Sequence, residues 1–209
     1  MARKNFKMPV QYKLTDLPLY EERPYEIDLA PLLLQFAKPN SRSHINHFFY
    51  KTHIARGFGG LKRGDQYTHI YRDAEYTMVL STRTAKKWLK WLLPIALIPS
   101  RYIRESAIAC IGFEINQKDM LVKQIQGVQG MKDQLNHIQW EKFLLKLVED
   151  LALANNFEKV KVIPGNKNKW YNAHHAEIFH MRYDVTAKRS GFKFCPEEEC
   201  YVKQLAVVA

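Results

Sequence analysis

The 209-residue sequence is short of cysteine, of acidic side chains and of unbroken hydrophobic runs. Its three cysteines, Cys110, Cys195 and Cys200, are odd in number and follow no recognisable spacing, so no disulfide framework is expected and a reducing cytoplasm is the expected setting. The longest apolar run, Trp88 to Pro99, is broken by Lys90 and Pro94 and falls short of the ~20 residues a membrane-spanning helix needs. No signal peptide is expected either, because the basic start (Arg3, Lys4, Lys7) leads into no apolar core. There is no internal repeat and no low-complexity run. Acidic residues number 21 against 32 Lys plus Arg, a formal charge of +11. That field favours anionic partners: nucleic acid, an anionic membrane surface, or a phosphorylated ligand such as coenzyme A or ATP.

What is present is organised around Lys118 to Ile163. The residues read as a strand (Met120–Ile125), a glycine-bearing turn (Gln126-Gly-Val-Gln-Gly130), a long helix over 137–155 and a second strand (Lys159–Ile163). Trp140, Phe143, Leu144, Leu147, Val148, Leu151 and Ala154 repeat at the spacing of one helix face. Asn136 with Gln139 has capping-box character, and Asn155-Asn156 supply a stop. A strand that passes through a glycine turn into a helix can hold a phosphate, because unpaired amides and the positive end of the helix dipole converge there.

Residues 1 to 24 read as a basic extended arm, and Glu26 to Ala37 as a short helix. Ser41 to His53, Arg56–Gly60 and Lys62–Asp65 read as polar segments and hinges, so the first 65 residues form an N-terminal elaboration and 66–209 the main domain. Tyr67 to Leu80 has strand composition with a turn at Asp73-Ala74. Trp88 to Pro99 reads as a buried or lid helix, as an interfacial segment or as one wall of an apolar pocket. Ile108–Ile115 and Met120–Ile125 flank Asn116–Asp119 as an antiparallel hairpin. A helix around His180–Arg189 and strands at Phe192–Phe194 and Tyr201–Leu205 complete an α+β (mixed α/β) order.

Among reactive side chains, Glu114 lies in an otherwise apolar strand, where it reads either as a proton acceptor or as an ordinary solvent-facing glutamate. The eight histidines and Cys195-Pro-Glu-Glu-Glu-Cys200 complete no zinc spacing, so no metal site is expected. The basic and aromatic residues of 42–72 read as solvated loops or as a nucleic-acid surface.

The succession of hairpin, glycine turn, long helix, strand, helix and Ala187-Lys-Arg-Ser-Gly191-Phe192 before a last strand resembles the GNAT acyl-CoA N-acyltransferase superfamily over roughly 105–206, and more weakly from Tyr67. That resemblance implies a central, mostly antiparallel twisted sheet flanked by helices. In the family, the fourth strand splays from the fifth and the thioester of acyl-coenzyme A lies in the gap. Gly191-Phe192 match the end of the family's second signature, whose tyrosine place is Ala187 here. Tyr183 stands one helical turn earlier on the same face. The resemblance thus implies acyl transfer from coenzyme A to an amine acceptor. Amides near Ile125–Gly127 would polarise the thioester carbonyl, and Gln126, Val128, Gly130 and Lys132 would hold phosphates. Tyr183 would protonate the thiolate and Glu114 would accept the amine proton. Two alternatives stand beside it: an inactive scaffold of this shape binding nucleic acid or a protein partner, and a peripheral membrane protein using 86–99.

Overall fold

A computed structural model of the chain describes residues 33–39, 49–63, 66–85 and 103–205. The arm at 1–24, the segment at 88–99 and most of the helix expected at 26–37 lie outside these residues. Seven strands form one sheet: β1 (Phe49–Arg56), β4 (Tyr76–Ala85), β5 (Ile103–Asn116), β6 (Asp119–Gly127), β7 (Lys159–Val162), β8 (Lys193–Cys195) and β9 (Cys200–Gln204). Their order across the sheet is β1-β4-β5-β6-β7-β9-β8. Every neighbouring pair is antiparallel except β6 and β7, which run parallel. β2 (Gly59–Arg63) and β3 (Gln66–Arg72) pair as a separate two-stranded ribbon. The architecture is α+β with a large, mostly antiparallel sheet.

Two expectations about the first third are corrected. Residues 49–63, read as polar segments and hinges, are strands, and β1 pairs with β4 from Phe49↔Arg83 to Arg56↔Tyr76. The sheet therefore starts well before residue 66, and a boundary at 65/66 would cut a strand from it. Period-two burial is hard to read there because polar Thr52 is buried beside Ile54 and Ala55. Asp73-Ala74 does separate two strands, but β3 belongs to the ribbon and β4 to the sheet. The Arg72 guanidinium donates to the carbonyls of Arg56 and Gly59 at 3.4 and 3.3 Å, which ties the ribbon's entry to its exit.

The long helix, α1 (Trp140–Ala154), packs the expected stripe on the sheet. Phe143, Leu144, Leu147, Val148 and Leu151 are buried against Ile111, Phe113, Met120, Val122 and Ile125 in one cluster. Burial of such side chains stabilises by about 1.5–3 kcal/mol each. The helix begins at Trp140 rather than 137, and the Asn136–Gln139 capping box does not form. Residues 36–38 take its place: Lys38 N–H donates to the His137 carbonyl at 3.0 Å and Gln139 N–H to that of Phe36 at 2.9 Å. The C-terminal helix, α2, covers 176–189. Its middle, His180–Val185, widens to π geometry, and Thr186 Oγ1 donates five residues back to the Met181 carbonyl. No helix among the described residues is long and apolar enough to cross a membrane.

Candidate functional site

β6 and β7 stay together only from Asp119↔Lys159 to Val122↔Val162. Just beyond, the β5–β6 register steps from Gly112↔Gln124 to Phe113↔Val122, so Lys123 is an extra residue bulged out of β6. A bulge bends its strand and switches which way the following peptide groups point. β6 accordingly leaves β7 at this residue and runs on to Gly127 paired with β5 alone, its other edge without a strand neighbour. Two side chains hold that edge. Tyr183 Oη, from α2, accepts from the Ile125 N–H at 2.9 Å, and Asn168 Nδ2 donates both to the Lys123 carbonyl at 3.0 Å and to Tyr183 Oη at 2.7 Å. Asn168 Oδ1 in turn accepts from Trp170 N–H at 2.9 Å, which fixes its amide orientation.

Tyr183 is 2% exposed. Burial pushes its hydroxyl up to about 12, so the group is a neutral phenol through the physiological range. With its oxygen accepting from two N–H groups, its own proton remains to be donated. Phe179 stacks on its ring with centroids 6.2 Å apart, and Tyr171 packs edge-on against Phe179.

The loop after β7 runs along this edge to the turn before β4. Trp170 Nε1 donates to Asp73, and Lys169 Nζ lies 3.2 Å from the same carboxylate, 5.7 Å over the Tyr71 ring and 5.1 Å over that of Trp170. The buried Gln124 amide donates to the Tyr71 carbonyl and to Gln126 Oε1, while its oxygen accepts from Asp73 N–H. One polar network therefore joins the strand edge, the loop and the turn before β4.

The structure gathers some of the expected site residues and disperses others. Ile125 and Tyr183 meet directly. The Gln126 side chain belongs to the Gln124 network on the opposite sheet face from the Ile125 side chain. Gly127 lies against Trp140 and Leu135, where an added Cβ would stand 3.2 and 3.3 Å from their carbons. Val128 is buried in a second small cluster and its N–H donates to Ile108. Gly130 turns the chain at φ +84 in open surroundings, and Lys132 is exposed. No described carbonyl takes up the amides of Gln129, Gly130, Lys132 or Asp133.

The turn does not open directly into the long helix. It feeds a single helical turn, Lys132–Leu135, and then the bridge of Ile138 to Ala37. Glu114, the expected proton acceptor, is ion-paired with Lys123 Nζ at 3.0 Å and takes no part in the Tyr183–Asn168 cluster. Asn168 went unread in the sequence, because Gly165-Asn-Lys-Asn168-Lys looks like any polar loop. No protein-family model, no curated protein and no solved structure matches the chain.

Proposed function

We propose that the chain is an acyl-coenzyme A-dependent N-acyltransferase of GNAT-like fold, with the thioester received in the gap between β6 and β7. The observation that carries this reading is the parting of the two parallel strands at the Lys123 bulge, which leaves the Ile125 N–H bonded to a buried, protonated phenol instead of to a strand. The amide and the phenol would serve a carbonyl oxygen and the neighbouring sulfur once their mutual bond opens. The turn would offer phosphate oxygens the Gln129 and Gly130 amides, which no described carbonyl takes up, and the exposed ammonium of Lys132. Acyl-coenzyme A would supply the activated acyl group. The chain would do the rest: Ile125 N–H passes from the Tyr183 hydroxyl to the carbonyl oxygen, and Asn168 keeps the phenol oxygen in place. Tyr183 then gives its proton to the departing sulfur. Glu114, tied to Lys123, is a weaker choice for the amine proton than a water-borne route from the gap.

The test is calorimetric titration of the full chain with acetyl-, medium-chain and long-chain acyl-coenzyme A, free coenzyme A serving as reference. Expected are micromolar binding, about tenfold weakening in Lys132→Glu, and Tyr183→Phe retaining binding while losing turnover. Absence of binding to every thioester by folded protein refutes the reading. One surface favours the second reading, a nucleic-acid-binding scaffold: Tyr71 and Trp170 are half exposed with Lys169 between their rings. Its mark would be affinity for single-stranded RNA or DNA that falls steeply with salt and with Trp170→Ala.

A further inference from the structure

Beside α2, an open groove of about 680 Å³ lies between that helix, the loop from Pro164 to Tyr171 and the β8–β9 hairpin. Its centre is Asp184, whose side chain is 14% exposed. The carboxylate is held from two directions: Tyr201 Oη donates to Oδ1 at 2.9 Å and Gly165 N–H to Oδ2 at 3.0 Å. Residue 165 has to be glycine for this, since a Cβ there would stand 2.7 Å from the Phe179 carbonyl and 2.9 Å from Asp184 Oδ2. His180 Nδ1 lies 3.6 Å from the same oxygen, with its ring largely exposed to the groove. Tyr171, Phe194 and Tyr201 supply aromatic wall.

The charges lining the groove, Lys167 and Lys188 against Asp184 and Glu199, match in number but not in pairing. Lys167, from the loop, is paired with Glu199 of the hairpin, and Lys188, one helical turn beyond Asp184, sits 5.8 Å over the Tyr201 ring. Among the described residues no lysine or arginine is in ion-pair contact with Asp184. A largely buried carboxylate held by two neutral donors without a bonded ammonium or guanidinium favours a cationic guest. Aromatic faces favour the same kind of guest, through their negative quadrupoles and through contact with a hydrocarbon stem.

We propose that this groove binds a small organic primary ammonium, seated on Asp184 between the rings of Tyr171, Phe194 and Tyr201. Bound this way, the ammonium donates to the Asp184 carboxylate, and its hydrocarbon stem lies against the aromatic wall. Ile125, Asn168 and Tyr183 do not line this groove, so amine binding stands independently of the acyl-transfer reading.

The test is titration of the full chain, by calorimetry and by the imidazole signals of His180, with phenethylamine and with 3-phenylpropionate, an anion of the same shape. The expected result is binding of phenethylamine over phenylpropionate, weakened at least about tenfold in Asp184→Asn. Phe194→Ala, at an exposed ring, weakens binding in a chain whose core is untouched. Should Asp184→Asn fail to fold, Phe194→Ala decides. The proposal is overturned if folded wild type does not bind phenethylamine, if it takes phenylpropionate as well or better, or if Phe194→Ala binds phenethylamine as tightly as wild type.

Discussion

Replacing Tyr183 by phenylalanine isolates what the splayed edge of β6 depends on. The change removes one oxygen and leaves the ring stacked on Phe179, so little packing is lost. That oxygen accepts from Ile125 N–H at 2.9 Å and from Asn168 Nδ2 at 2.7 Å. β7 has already diverged at Val162, which leaves the Ile125 amide without a strand partner; an unsatisfied buried donor costs about 1–3 kcal/mol. Asn168 keeps the Lys123 carbonyl, so its loss is closer to an ordinary hydrogen bond, ~1 kcal/mol. Against this, the variant no longer desolvates a phenol, which offsets roughly 1 kcal/mol. The net expectation is about 2 kcal/mol in urea unfolding with an unchanged slope, or a Tm lower by about 4–8 °C for a chain of this size. Asn168→Ala should cost about 3 kcal/mol, because it strips the Lys123 carbonyl, the phenol and Trp170 N–H together. The double variant should fall short of the sum by about 1 kcal/mol, since the shared bond is lost only once. A loss below about 0.5 kcal/mol in Tyr183→Phe, or strict additivity in the cycle, would refute the view that this hydroxyl clasps the strand edge.

Three further outcomes follow from buried ionisable groups. Tyr183 and Tyr201 are both pushed up to about 12, chiefly by burial, from an ordinary 10.0. Folded values above the unfolded one mean that their stabilisation is complete below pH 10 and is lost as the pH rises towards 12, so alkaline unfolding should steepen in that window and flatten in Tyr183→Phe. Lys203 Nζ donates to the buried Glu149 at 2.7 Å, and burial raises the Glu149 carboxyl despite this partner. Lys203→Met should therefore destabilise by about 3 kcal/mol at neutral pH and by less as acid protonates Glu149; an equal loss at pH 7 and pH 5 in urea would contradict this. Cys110 is fully buried and raised to about 12, and Cys200 is also buried and raised, whereas Cys195 is partly exposed. Native protein should label rapidly with a thiol reagent at Cys195 alone, as mass spectrometry of the labelled peptides would reveal.

Elements with strict periodicity were legible before folding was considered. The α1 stripe, the β5–β6 hairpin and the final β8–β9 pair announced themselves because a single repeat decides which face is buried. The Lys123 bulge did not, since nothing in Val122-Lys123-Gln124 distinguishes an extra residue from one in register. The α1 start was misread because its cap comes from residues 36–38, a tertiary pairing that overrides the local Asn136–Gln139 signal. Strand β1 was hidden by its polar content. At the candidate site, Ile125 and Tyr183 were both found but not their contact, which depends on the strand splaying. Asn168, Asp184 and Gly165 carry their roles through geometry alone: each is an ordinary loop or helix residue until the chain brings its partner.

Those three residues also tie one short turn to both candidate sites. Gly165–Lys167 is a 3₁₀ turn whose ends are tied by the Lys167 N–H to Pro164 and the Asn168 N–H to Gly165 bonds. Gly165 grips Asp184 of α2, and Asn168, three residues on, grips its neighbour Tyr183. A compact turn of this kind moves as a unit, because shifting one end without the other breaks its own hydrogen bonds. A ligand seated on Asp184 as proposed would therefore also load the Asn168–Tyr183 bond, through an element only a few residues long. The coupling cannot exceed what the Gly165–Asp184 bond contributes, about 1.5–3 kcal/mol for a donor to a charged acceptor, which sets its ceiling near 10- to 150-fold in affinity between the two sites. The π geometry of His180–Val185 lies at the same level of the helix, with Tyr183 buried in the main core and His180 and Asp184 lining the groove.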